Sequence, residues 1–146
     1  MDEPRTDREW LAAAVEHSRR CPPAETAYSV GAILVAGGAE LARGYSRESD
    51  PTEHAEEAAL RKVGEIPPGA VLYSSLEPCS RRKSRPLPCA ELIVAAGIQR
   101  VVYAWREPPL FVDGDGATVL REAGVEVVEL PELAGVVRQV NAHLLP

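Results

Sequence analysis

At 146 residues, 45% hydrophobic and 26% charged, the chain has the size and balance of one folding unit able to bury a core without disulfide support. A formal charge of −6 argues against wholesale attraction to nucleic acid, whose backbone demands a basic face. No apolar run is long enough to span a bilayer, and Met1 to Asp7 is too polar to open a secretory signal, so no membrane is expected and the expected setting is the cytoplasm.

Thr6 followed by Glu9 is a capping-box pattern, and Trp10, Leu11, Ala14 and Val15 share one helical face. A first helix from about Asp7 to Arg20 follows, stopped by Cys21-Pro22-Pro23. His17 has no partner at metal spacing and reads as an exposed or capping histidine, while Cys21 reads as a small packed thiol. Strand-like runs Ser29–Val35 and Ala39–Tyr45 flank Ala36-Gly37-Gly38, a hairpin signal. Pro51 and Thr52 then prepare a helix from Glu53 to Val63 that carries His54 in its first turn with Glu56 close behind.

From Ala70 onward the pattern alternates. Val71–Ser75 reads as a strand, Cys89–Ala96 as a helix stopped by Gly97, Arg100–Ala104 as a strand, Ala117–Ala123 as a helix stopped by Gly124, and Val125–Val128 as a last strand. This order implies right-handed crossovers and parallel neighbours in one sheet. Leu133, Val136, Val137, Val140 and Leu144 mark a closing amphipathic helix whose apolar face suits the core or a subunit interface equally. Asp113-Gly114-Asp115-Gly116 lacks the later ligands of a calcium loop and reads as a connection into the following helix. No repeat, linker or second domain interrupts residues 1–146.

Ligands of such sheets gather beyond the carboxyl ends of parallel strands, beside helix starts. Cys79 follows a strand, and Cys89 and His54 begin helices, so the three can converge. Two thiols in Pro-Cys dipeptides, with an odd total of three cysteines, favour metal binding over a disulfide framework. One imidazole and two thiolates suit zinc and leave its fourth position for water, acidified toward neutrality by the ion. Glu56 is placed to carry that water's proton to a ring nitrogen and on to departing ammonia. Singly these signals are weak, and a closed zinc knot would also use such ligands, but no fourth cysteine exists. Together they resemble the H-x-E and P-C-x-x-C signature of zinc deaminases of nucleobases, with a longer spacer between the two cysteines.

At these residues the chain resembles the cytidine-deaminase-like superfamily, from about Ser29 to Leu130, and within it the deaminase domain that acts on a diamino-pyrimidinone ribosyl phosphate in riboflavin biosynthesis. Ser75-Leu76-Glu77-Pro78-Cys79-Ser80, the spacer ending Arg85-Pro86-Leu87-Pro88-Cys89, Ala95 to Val102 and Pro108-Pro109-Leu110 carry the likeness. Nine residues separate the two cysteines, against two in P-C-x-x-C, and a long spacer also marks the riboflavin branch. The resemblance implies an α/β fold, a three-layer α/β/α sandwich on a mixed five-stranded sheet. It further implies zinc on His54, Cys79 and Cys89, Glu56 as proton shuttle, a small heterocyclic substrate and a homodimer; the residues expected to meet that substrate are Ala27, Ala55, Ser75, Arg82 and Trp105.

Three departures bear on substrate. Ala27 stands where the family carries a ring-binding asparagine, and the chain's one asparagine is Asn141. Arg81-Arg82-Lys83-Ser84-Arg85 replaces a histidine- and glycine-bearing spacer, four cations in five residues that could clamp an anionic group or stay solvated. No reductase domain follows within this sequence. Trp105, just past a strand, is available to stack on a planar ring. Nucleoside, nucleotide or purine-base deamination, a specialised heterocycle, a nucleic-acid editing module and a silent zinc-stabilised partner are the competing readings.

Overall fold

The computed structural model describes residues 5–22, 24, 27–79, 88–106 and 116–144. Thr6 caps helix α1 (Asp7–His17) through the predicted reciprocal box with Glu9, and a short 3-10 turn continues it to Arg20. Strands β1 (Gly31–Ala36) and β2 (Ala39–Tyr45) form an antiparallel hairpin. Gly37 and Gly38 at its tip have φ of 60° and 77°, the left-handed pair that a two-residue turn requires.

Helix α2 (Ala55–Arg61), strand β3 (Val71–Leu76), helix α3 (Cys89–Ala95), strand β4 (Arg100–Trp105), helix α4 (Gly116–Glu122), strand β5 (Glu126–Glu129) and helix α5 (Ala134–Val140) complete the order. The sheet runs β2-β1-β3-β4-β5. β1 pairs antiparallel with both β2 and β3, whereas β3, β4 and β5 are parallel, as the alternating pattern predicts.

Two apolar clusters divide along the sheet faces because successive strand side chains point oppositely. On one face Leu34, Leu72, Leu76 and Val101 pack with Ala55 and Ala59 of α2, Ile93 of α3 and Leu120 of α4. On the other, Ile33, Val35, Tyr73 and Val102 pack with Trp10 and Leu11 of α1 and Val137 of α5. The result is the expected three-layer sandwich. The closing helix is shorter than predicted, flanked by 3-10 turns, and it turns Ala134 and Val137 into the core. Among the described residues no helix is long and apolar enough to cross a membrane.

Candidate active site and metal centre

Beyond β3 the chain enters Glu77-Pro78-Cys79, and its course is fixed from two sides. Glu77 N donates to Trp105 O at 2.9 Å, and the buried Glu77 carboxylate accepts from Ala117 N, also at 2.9 Å, in the first turn of α4. Gly116 presses so closely that a Cβ there would lie 1.6 Å from Pro78 O. Cys89 opens α3 behind Pro88, as expected, and its backbone N–H donates to Cys79 Sγ at 3.3 Å while Ala90 N donates to Cys79 O at 3.0 Å.

His54 is the cap residue just outside α2, with extended φ −91° and ψ 159°, rather than a member of the first turn as predicted. Helix α2 starts two residues late because Glu53 is engaged by the preceding loop. Its carboxylate accepts from Ser49 N at 3.0 Å and Arg61 Nε at 2.7 Å, and its carbonyl accepts from Arg47 N at 2.7 Å. Glu57 Oε1 accepts from His54 N at 3.0 Å, which sets the backbone that presents the ring. His54 Nδ1 lies 3.6 Å from Cys79 Sγ and 3.3 Å from Cys89 Sγ. One ligand atom from each of the three falls within 4.8 Å of the others.

Hydrogen bonding from Cys89, helped by His54, pulls the Cys79 thiol well below the ordinary thiol range against the opposing effect of burial. Two buried cysteine sulfurs and an imidazole nitrogen at this separation fit zinc, which prefers tetrahedral sulfur and nitrogen donors.

Glu56 lies two residues beyond His54, 3% exposed, and its Oε1 accepts a 2.7 Å hydrogen bond from Ser74 Oγ. Ser74 is fully buried in β3 on the face that meets α2, and its oxygen is also 2.8 Å from Leu76 O. No role for Ser74 follows from its spacing to the cysteines. The one available signal is a pair of serines, Ser74-Ser75, inside an otherwise apolar strand that leads to Cys79.

Four of the other expected substrate residues lie on separate parts of the described chain. Ala55 is buried as the first residue of α2, and Ala27 is half-buried in the bend before β1. Ser75 is fully buried, with its Oγ accepting from Gly31 N at 3.1 Å, so its hydroxyl ties β1 to β3. Trp105 closes β4 rather than lying past it. It pairs with Leu76, and its ring stands edge-on to Tyr28 at 5.9 Å. Arg82 and the rest of Arg81–Arg85 fall outside the described residues, as do residues 107–115.

The segment after Ala27 is held by two side chains. Asn141, fully buried, accepts from Ser29 N at 2.7 Å and donates to Ser29 O at 3.2 Å, so the chain's one asparagine is engaged in fixing backbone. The Arg47 guanidinium donates to Pro22 O, Tyr28 O and Ser29 Oγ from a residue with φ of 62°. Cys21 sits half-buried, donating to Val30 O at 3.4 Å, consistent with a packed thiol.

Residues 4–105 match the family described as the cytidine and deoxycytidylate deaminase zinc-binding region. The diaminohydroxyphosphoribosylamino-pyrimidine deaminase of Schizosaccharomyces pombe is 37% identical over 131 residues, 86% of this chain and 32% of its own length. RibD of Acinetobacter baumannii superposes with a TM-score of 0.79 at 31% identity, covering 95% of this chain and 39% of that one. The dCMP deaminase of cyanophage S-TIM5 gives 0.66 at 27% identity, covering 88% of this chain and 99% of that one. This chain thus spans about a third of the curated relative it matches. A family match across the β1 to β4 scaffold, together with the His54, Cys79 and Cys89 cluster, means that the chain belongs to the cytidine and deoxycytidylate deaminase family.

Proposed function

We propose that this chain is a hydrolytic deaminase that releases ammonia from an amino-substituted pyrimidine-type ring, with a diamino-pyrimidinone ribosyl phosphate of the riboflavin pathway as the favoured substrate. The observation that carries this reading is the convergence of the half-buried His54 Nδ1 with the buried Cys79 Sγ and Cys89 Sγ beside a helix that presents Glu56 two residues after the histidine. Zinc held by these three would supply Lewis acidity that makes water nucleophilic near neutral pH.

Glu56 takes a proton from that water through a carboxylate oxygen and passes it to the ring nitrogen next to the amino-bearing carbon. As the C–O bond forms, the freed carboxylate would take the second proton from the new hydroxyl and deliver it to the amino group, so that the C–N bond breaks with ammonia leaving and a ring carbonyl remaining. Atoms balance as ring C–NH2 plus water giving ring carbonyl plus ammonia. Burial of Glu56 and Ser74 keeps competing water from this carboxylate. Ala27, Ala55, Ser75, Arg82 and Trp105 complete the proposed pocket. Ala27 contributes no side-chain hydrogen bond to a ring, so ring selection falls to backbone groups and to the stacking surface of Trp105. A cytoplasmic, reducing setting that keeps the ligand thiols free and a homodimer belong to the same proposal.

The test is ammonia release by the zinc-loaded protein across the riboflavin intermediate, deoxycytidylate, cytidine, cytosine, adenosine and guanine. Turnover on the first is expected to exceed the rest. Glu56→Gln should retain stoichiometric zinc and lose about 10²–10⁴-fold in kcat. An unchanged rate in that variant would remove Glu56 from the mechanism.

A further inference from the structure

Building on the deaminase reading of this site, we propose that Ser74 is a positioning residue for the reaction, its hydroxyl fixing the Glu56 carboxylate that moves the proton. Ser74 interrupts the apolar inner face of β3, between Leu72 and Leu76, at a point with no solvent exposure. A hydroxyl buried there costs stability unless it is bonded, and its bond is to the one carboxylate that the chemistry needs. Ser74 Oγ lies 2.7 Å from Glu56 Oε1, which commits that oxygen and leaves Oε2 as the working one.

The same Oγ is 2.8 Å from Leu76 O, at the point where β3 hands the chain on toward Cys79. A single hydroxyl proton, shared or alternated between the two acceptors, therefore ties the Glu56 carboxylate to the strand that carries one of the ligands. Terminal carboxylate torsions have broad, shallow preferences, so without this bond the group is free to turn away from the productive angle. Ser75, next in the strand, bonds to Gly31 N instead, and alternation of the pleat puts Ser74 alone beside Glu56.

The experiment compares wild type, Ser74→Ala and Ser74→Thr for kcat and KM of ammonia release from the riboflavin intermediate, with bound zinc and melting temperature measured on the same preparations. Ser74→Ala is expected to lose about a hundredfold in kcat while KM and zinc content stay at wild-type values. Ser74→Thr keeps the hydroxyl, suits a strand, and should recover most of the rate. A kcat unchanged in Ser74→Ala, zinc lost in step with rate, or a folded Ser74→Thr as slow as alanine overturns the proposal. Should Ser74→Ala not fold, Ser74→Cys, close in size and a weak donor, is expected to fall well below wild type, and equality with wild type overturns it. A wild type that releases no ammonia from any ring overturns the deaminase reading and this one together, whereas an active wild type with an unimpaired Ser74→Ala overturns the role of Ser74 alone.

Discussion

At the scale of single residues, much of the site depends on atoms that are absent. Gly116 and Gly44 have no side chain where one would collide with neighbouring backbone: Pro78 O in the first case, Ala55 O and Ala59 N at 2.6 Å in the second. The first contact is the more telling for function, because Pro78 precedes Cys79 directly. Gly116→Ala is expected to push α4 away from the Pro78-Cys79 turn and break the Glu77 to Ala117 bond, destabilising the fold by about 3 kcal/mol, the upper end of ordinary overpacking. Zinc affinity, read by competition with a chromophoric chelator, should fall with it. Wild-type melting and wild-type affinity together would show that the turn is set elsewhere. None of this is legible in the sequence, where Gly116 ends a polar Asp-Gly run and reads as loop.

At the scale of elements, α1 is fastened to the sheet by charge as well as by Trp10 and Leu11. Arg100, at the start of β4, donates to both Asp7 carboxylate oxygens, at 2.8 and 2.6 Å, and also pairs with Glu126, while Tyr73 OH donates to Asp7 at 2.6 Å. The hydrogen bond from Arg100 lowers the Asp7 pKa, with Tyr73 adding to it against burial. A depressed carboxylate stabilises the fold above its unfolded value, about pH 4, and that contribution disappears as pH falls through the lower folded value. Asp7→Asn keeps one acceptor oxygen, for Tyr73, and removes the charge together with the second acceptor of Arg100. Its melting temperature should therefore lie roughly 2–4 °C below wild type at neutral pH, given the modest worth of a partly exposed pair, and the gap should close below about pH 4. A gap that persists in acid would assign the loss to packing. Periodicity and capping signals gave α1, the glycine hairpin and the β-α-β-α-β alternation, because those elements are governed by local sequence. The start of α2 and the end of β4 moved, because Glu53 is held by Arg47 and Ser49 of the preceding loop and Trp105 pairs across the sheet with Leu76.

At the scale of the molecule, the sheet separates two jobs. One apolar cluster with α1 and α5 anchors the fold, and the opposite face, with α2, α3 and α4, also brings together His54, Cys79 and Cys89, which are distant in sequence. The His54, Cys79 and Cys89 set was legible because metal chemistry restricts residue types. Asn141 and Ser74 were not, since a buried amide clamping Ser29 and a serine bonded to Glu56 depend on long-range placement that no local pattern encodes. This division predicts how the protein responds to metal removal. Neither cluster includes His54, Cys79 or Cys89, so the depleted protein should still unfold cooperatively. Zinc bound only by the native state at a thousandfold excess over its dissociation constant adds about 4 kcal/mol, or roughly 8–16 °C at this chain length. Chelation should thus lower the melting temperature by that amount, zinc should restore it, and Glu56→Gln should show the same difference because Glu56 lies outside the ligand set. Calorimetry with and without chelator measures this directly. Loss of the cooperative transition would mean that the metal builds the fold, and an absent shift would mean that the three ligands do not hold it.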